Sequence, residues 1–278
     1  MNAHLLDFGS DIGLRRRWFT QASFGHPAKL HLGLLQWIVE TYTLPGQRIA
    51  DPMAGIGSVL YAATMQRQVV AHELEAHWIE LMRENADHIT EQAGLFAGHI
   101  DIGQADAREP WGYQADCIIT SPPYACEAST TPNPNRGLRY RLRAGQVPYG
   151  ERWQKFLDQP TQGSMGMVTF HYGRHPAQIG HLRGTRYWEA MRQVYTQARM
   201  ALRPGGYLIL ILKDHIALGL RVPTTQHTIA LCESLGFQLS ARHQRRIFPL
   251  SLWQRRRKEA GLPVVEEEDV LVFSHGRL

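Results

Sequence analysis

The sequence predicts an α/β protein built on a mostly parallel sheet with helices on both faces. Three observations carry that prediction. Short strand-like segments occur at 48–50, 68–72, 99–103 and 116–120. Glycine turns and helical periodicity separate them, with loops too short for anything but neighbouring elements. A further run, Tyr207-Leu208-Ile209-Leu210-Ile211-Leu212, is apolar throughout, as expected of a strand buried on both faces.

Taken in order, Gly46-Gln47-Arg48-Ile49-Ala50 leads a first strand into Asp51. A glycine turn follows, then a helix over Ser58 to Arg67. Gln68-Val69-Val70-Ala71-His72 is the second strand. Trp78 to Gln92 reads as an amphipathic helix with Trp78, Leu81, Met82 and Ile89 on one face. Strands at 99–103 and 116–120 come next. From Ala125 to about Arg186 the regularity stops, and a stretch this long without period implies a functional insertion. A helix at 187–202 ends at Leu202-Arg203-Pro204-Gly205-Gly206 and delivers the chain to the 207–212 strand. A helix at 224–235 stops at Gly236. The tail, Phe237 to Leu278, reads as two more strands around an arginine-rich segment, the last being Asp269-Val270-Leu271-Val272-Phe273. No internal repeat is visible. The expected organisation is one domain over 1–278, with 125–186 inserted into it.

Composition narrows the function classes. With 278 residues and 44% apolar side chains the chain has material for one large core. No apolar run approaches the roughly 20 residues of a membrane span. The stretch Met1-Asn2-Ala3-His4-Leu5-Leu6-Asp7 lacks the pattern of a secretory signal. Cys117, Cys126 and Cys232 have no C-x-x-C spacing, which suits a reducing cytoplasm and argues against zinc or a disulfide framework. His171 and His175 stand four apart with no acid or cysteine to complete a metal set, so no metal is expected. The net charge of +5 is a mild pointer to a polyanion.

Two motifs carry the chemistry. Asp51-Pro52-Met53-Ala54-Gly55-Ile56-Gly57-Ser58 lies between the first strand and its helix. Gly55 and Gly57 permit a tight turn and close approach of a ligand to the main chain. Position 60 is Leu, so the third glycine of a dinucleotide fingerprint is missing, and Asp51 disfavours a pyrophosphate. Glu73 ends the next strand, placed for a ribose hydroxyl pair, and Asp106 follows the third, placed to accept from an exocyclic amine. Three acids at successive strand ends favour a cationic nucleoside, S-adenosyl-L-methionine. The second motif is Ser121-Pro122-Pro123-Tyr124. Two prolines cannot continue the 116–120 strand, so the chain leaves the sheet as a rigid turn offering a hydroxyl, a carbonyl and an aromatic ring.

Together these motifs resemble the amino-group (N4-cytosine/N6-adenine) DNA methyltransferases, over roughly residues 20–124 and 187–240. Asp51–Gly57 is similar to the family's D-P-F-x-G-x-G loop, with Met53 in place of Phe. Ala71-His72-Glu73-Leu74, Asp106 and Ser121–Tyr124 resemble its second-strand acid, its adenine-contacting acid and its catalytic loop. Phe24-Gly25-His26-Pro27-Ala28-Lys29-Leu30 resembles the segment over the methionine end of the cofactor, which adds Phe24, His26 and Lys29 to the expected cofactor site. The resemblance implies a Rossmann-like class I methyltransferase fold and direct transfer to an exocyclic amine of a flipped-out base. The Ser121 hydroxyl and the Pro122 carbonyl would then accept the amine's two N–H bonds, and Tyr124 would stack on the base. A cysteine nucleophile is not needed, and Cys126 is not assigned one. Ser at the head of the loop resembles the N4-cytosine enzymes, whereas Asp or Asn heads most N6-adenine loops.

The insertion carries Arg136, Arg139, Arg141, Arg143, Arg152, Lys155, Arg174, Arg183 and Arg186 against Glu127, Glu151 and Asp158. Tyr140, Tyr149, Trp153, Phe156, Phe170 and Tyr172 lie among them. Basic residues interleaved with aromatics beside a catalytic loop fit phosphate contact and base readout, so Arg136, Arg139, Arg141, Arg143, Arg174 and Arg183 are expected to touch nucleic acid. Arg255-Arg256-Arg257-Lys258 reads equally as a contact or as a solvated turn, with Glu266–Asp269 near enough to offset it. The expectation is a cytoplasmic cytosine-N4 methyltransferase of double-stranded DNA, of the restriction-modification kind. N6-adenine methylation of DNA and base N-methylation of RNA are the alternatives. A protein-glutamine methyltransferase is disfavoured by Ser121, and a non-catalytic nucleic-acid binder by the intact loops. The oligomeric state stays open, a homodimer included.

Overall fold

The computed structural model describes residues 4–25, 29–124, 173, 175–217, 220–247, 250 and 252–275. Its strands are β1 (His4–Leu6), β2 (Arg48–Asp51), β3 (Gln68–Glu73), β4 (Ile100–Gln104), β5 (Ala115–Thr120), β6 (Leu202–Leu212), β7 (His215–Ala217), β8 (Leu220–Val222), β9 (Phe237–Arg246) and β10 (Glu267–His275). Its α-helices are α1 (Ile12–Trp18), α2 (Leu32–Tyr42), α3 (Ala76–Ala93), α4 (Gly184–Ala201), α5 (Thr224–Ser234) and α6 (Leu252–Glu259).

Eight strands form one sheet in the order β1-β9-β10-β6-β5-β2-β3-β4, and β7 and β8 form a separate hairpin. The run from β6 through β5 and β2 to β4 is parallel, whereas β10 is antiparallel to both β6 and β9. Because side chains alternate across a strand, one strand feeds two cores. Cys117 and Ile119 of β5 join Ile209 and Ile211 under α2 and α3 with Leu35, Ile38 and Met82. Ile118 joins Leu208 and Leu210 on the other face, against Met191, Val194 and Tyr195 of α4 and Ile229 and Cys232 of α5. The central strands are therefore apolar on both sides, which is why they read as unbroken apolar runs.

Several elements differ from the expectation. Ser58–Met65 is a 3-10 helix, bracketed by left-handed Gly57 (φ 78°) and Gln66 (φ 63°), rather than an α-helix to Arg67. The buried face of α3 is Ile79, Met82, Asn85 and Ile89, so Trp78 and Leu81 lie to one side of the predicted stripe. Leu202–Gly206 does end α4, yet β6 begins at Leu202 and bulges against β5 instead of waiting until Tyr207. The helix expected at 187–202 starts earlier, at Gly184, so the last residues assigned to the insertion already belong to it. The arginine-rich segment of the tail contains the helix α6. Segments β1, α1 and α2 precede the first predicted strand and complete the sheet edge and one helical layer.

Candidate active site

The sheet's strand ends open onto one cavity of about 290 Å³. Asp51 closes β2 and is buried, its N-terminal neighbours held in the core. Burial raises its carboxyl pKa from 3.8 to about 7, and Glu73 adds to the rise, although the Met53 N–H bond (3.0 Å) works against it. Glu73 closes β3 and is also pushed up by burial. Its Oε2 accepts from the Gly55 N–H at 2.8 Å, and its Oε1 accepts from Leu74 and Glu75 N–H at 2.8 and 3.1 Å. The acid expected to hold a ribose thus also ties the glycine loop to β3. Asp106, beyond β4, is gripped by Arg108 through Nε at 2.9 Å and Nη2 at 2.5 Å. Burial opposes its ionisation, but the Arg108 bonds prevail and hold it below the usual carboxylate range.

Gly55 (φ 56°) and Gly57 sit in the left-handed region. A Cβ on Gly57 would stand 2.7 Å from Met82 Cγ and 2.8 Å from Leu60 Cδ1, so this glycine shapes the loop by packing inward. Asn85, fully buried on α3, donates to the Ile56 carbonyl at 2.9 Å and accepts from Thr20 N–H at 3.0 Å. It fastens the cofactor loop to the N-terminal segment. Lys29 also reaches the cavity, with Nζ donating to the Phe24 carbonyl at 2.9 Å and burial lowering its pKa.

At the end of β5 the chain leaves the sheet at Ser121, whose side chain is exposed to the cavity, while Pro122 and Pro123 are buried and Tyr124 is half-buried. The Tyr187 hydroxyl of α4 donates to the Pro123 carbonyl at 2.9 Å. That bond fastens the loop to a helix of the second core. The cavity therefore brings together Lys29, Asp51, Pro52, Ala54, Gly55, Glu73, Asp106, Ser121, Pro123 and Tyr124.

It does not include every expected residue. Phe24 lies in the 3-10 turn Gln21–Gly25 and meets the site through its carbonyl on Lys29. Gly57 and Pro122 are buried behind the wall and act through backbone shape. Arg183 is exposed at the N-cap of α4, away from the cavity lining. His26, Arg136, Arg139, Arg141, Arg143, Arg174 and Cys126 fall outside the described residues.

Other lining residues were not anticipated: Trp78, Gln178, Lys213, Arg245 and Glu268. Lys213 follows the last residue of β6, and its Nζ lies 6.0 Å from the centre of the Tyr124 ring. Burial lowers its pKa, against a raising influence from Glu268. A charged residue directly after an apolar strand, at the same sheet edge as Asp51 and Ser121, was the available signal. Arg245 and Glu268 come from antiparallel partners and meet at 2.6 Å, which only the β9–β10 register determines.

This constellation is acidic on the β2–β4 side of β5 and carries two cations on the β6–β9 side, with the proline loop between them. A structure of NSun6 from Pyrococcus horikoshii superposes with a TM-score of 0.51 at 13% identity, covering 91% of this chain and 53% of that one. The fold is that of the S-adenosylmethionine-dependent methyltransferases. A structure of a methyltransferase of that class from Methanosarcina mazei matches 86% of this chain and 98% of its own, with a TM-score of 0.49 and 11% identity. In sequence, a tRNA (guanine(10)-N2)-dimethyltransferase of Methanothermobacter thermautotrophicus is 35% identical over 89 residues, 31% of this chain. That match spans only 24% of the relative's length. No protein-family model matches the chain. Among the described residues, no helix is long and apolar enough to cross a membrane, and no group of three His, Cys, Asp or Glu side chains is placed to hold a metal ion.

Proposed function

We propose that this methyltransferase fold serves an S-adenosylmethionine-dependent enzyme that methylates an exocyclic amine of a nucleic-acid base. The observation that carries this reading is the opening of the Ser121–Tyr124 loop onto the same cavity as Asp51, Glu73 and Asp106. The residues suit a cationic nucleoside: acids at three strand ends, a glycine loop whose Gly55 N–H is taken by Glu73 rather than offered to a phosphate, and no phosphate-binding glycine at position 60. Asp51, Pro52, Ala54, Gly55, Glu73 and Asp106 would hold S-adenosylmethionine, with Lys29 at its methionine end. When bound, that group supplies the methyl.

The chain's own part is positioning. Ser121 Oγ, exposed to the cavity, accepts an N–H bond of the base amine, which turns its lone pair toward the acid-lined half of the cavity, while Pro122, buried outside the lining, stiffens the loop that presents Ser121. Tyr124 stacks on the base, a contact of about 1–3 kcal/mol. Tyr187, through the Pro123 carbonyl, keeps the loop at one height above the sheet. Direct transfer from a held amine asks for alignment and no covalent nucleophile.

The sequence-similar stretch of a tRNA guanine-N2 enzyme favours RNA as the polymer. A second reading, cytosine N4 in double-stranded DNA, rests on Ser121 at the head of the loop. The insertion, from 125 up to the start of α4 at Gly184, is assigned to target recognition in either case. Incubation with methyl-labelled cofactor and either RNA or duplex DNA, followed by digestion and mass spectrometry of the nucleosides, decides between them. Label on a base amine in RNA supports the first reading and N4-methylcytosine in DNA the second. Label on a ring carbon or on protein would overturn both.

A further inference from the structure

Beyond β5 the cavity's charge reverses, and the reversal continues outward along the C-terminal arm. Lys213 and Arg245 line the acceptor half with one carboxylate, Glu268, between them. Among the described residues Lys213 forms no ion pair. From Arg242 to Leu262 the chain carries seven arginine and lysine side chains and one carboxylate, Glu259. The facing acids are spoken for in part: Asp269 takes Arg242 at 2.8 Å and Glu266 takes Lys258 at 2.7 Å, while Glu267 stands opposite Arg246 in the ladder. Arg246, Arg255 and Arg256 stay exposed.

The arm is rigidly joined to the cavity. Ile247, a lining residue, donates its N–H to the Glu266 carbonyl at 2.7 Å, and the Glu266 side chain holds Lys258 of α6. The Gln254 side chain donates to the Val265 carbonyl at 3.3 Å, and Arg257 Nε to the Pro263 carbonyl at 3.1 Å. These bonds set α6 beside the cavity rim; Arg255, whose Nε donates to the Leu250 carbonyl at 3.1 Å, and Arg256 are both exposed on it.

We propose that β9 and α6 form a phosphate track for a single nucleic-acid strand, entering the cavity at Lys213 and Arg245 and leaving along Arg246, Arg255 and Arg256. This rests on the nucleic-acid reading above and adds to it the surface that carries the strand. Cations spaced along an arm that ends in the acceptor pocket meet a backbone of regularly spaced anions, whatever its bases.

The test is fluorescence anisotropy with labelled single-stranded RNA and single-stranded DNA over a salt series, on the full chain without cofactor. Each phosphate contact contributes about 0.7 to the slope of log affinity against log salt for a single strand. The variant R246E/R255E/R256E is expected to lower the slope by about 2 and to weaken binding about a hundredfold near 0.1 M salt. Lys213→Met should lower it by about 0.7, and the triple Arg→Lys variant should restore wild-type slope. Calorimetric cofactor affinity reports whether each variant is folded; if the triple reversal fails that control, Arg256→Glu alone replaces it. Equal effects on both polymers support a backbone track. An unchanged affinity and slope in folded variants, with wild type binding normally, overturns the track and leaves the proposed activity standing. Wild type that binds neither polymer overturns both.

Discussion

Replacing Tyr187 by Phe isolates the bond that holds the Ser121–Tyr124 loop. Tyr187 is 3% exposed, and its ring packs in the second core, so removing one oxygen leaves no sizeable cavity. What is lost is the 2.9 Å hydrogen bond to the Pro123 carbonyl, an acceptor in a buried residue. A buried acceptor left without its donor costs about 1–3 kcal/mol. The loop then loses this tie to α4, and a shift of about 1 Å in a positioned group can lower a rate by ~100-fold. The expected outcome is a stability loss of about 1–3 kcal/mol in urea titration and a fall in kcat of roughly 10- to 100-fold. Cofactor affinity should stay within about twofold, because the acid half of the cavity is untouched. An unchanged kcat alongside reduced stability would refute the claim that α4 positions the loop. Unchanged stability would refute the hydrogen bond as a net contribution.

Asp51, with its pKa raised to about 7, should make affinity for a cationic cofactor rise from pH 6 toward pH 8 and then level, and Asp51→Asn should flatten that profile in calorimetry. The sign for folding is opposite: the native state holds the proton more tightly than the unfolded chain, so this group's contribution is full below pH 3.8 and lost as pH rises through about 7. Denaturation of the free protein over that range, compared with the Asn variant, checks it. Gly57→Ala combines a left-handed φ, costing about 1–2 kcal/mol, with overpacking against Met82 and Leu60 of about 1–3 kcal/mol, and should lower the melting temperature accordingly. Asn85→Ala strands the Ile56 carbonyl and the Thr20 N–H, and should cost about 2–4 kcal/mol while weakening cofactor binding. A wild-type melting curve in either variant would contradict the packing described.

The parallel core was legible because its strands are buried on both faces and therefore unbroken in apolar character, as in Ile118-Ile119 and Leu208–Leu212. The acids and the proline loop were legible for a related reason. In a parallel sheet every forward strand ends at the same edge, so Asp51, Glu73, Asp106 and Ser121 could be placed together without coordinates. Gln178, Arg245 and Glu268 were not, since each arrives through a non-local pairing. The 3-10 form of Ser58–Met65 is not legible in the sequence, because residue preference distinguishes it poorly from an α-helix when Gly57 and the tight turn at Gln66 set the geometry.

By itself, then, the order of residues determined which strands are central, which edge bears the chemistry and what kind of ligand suits three acids beside a glycine loop. Those are consequences of local periodicity and of the rule that parallel strands share a direction. Only the tertiary structure decided that Glu73 also ties the glycine loop, that Tyr187 fastens the proline loop and that Lys213 and Arg245 reverse the charge beyond it. Such contacts join residues 18 positions apart in the first case and 64 in the second, through side-chain geometry that no local pattern encodes.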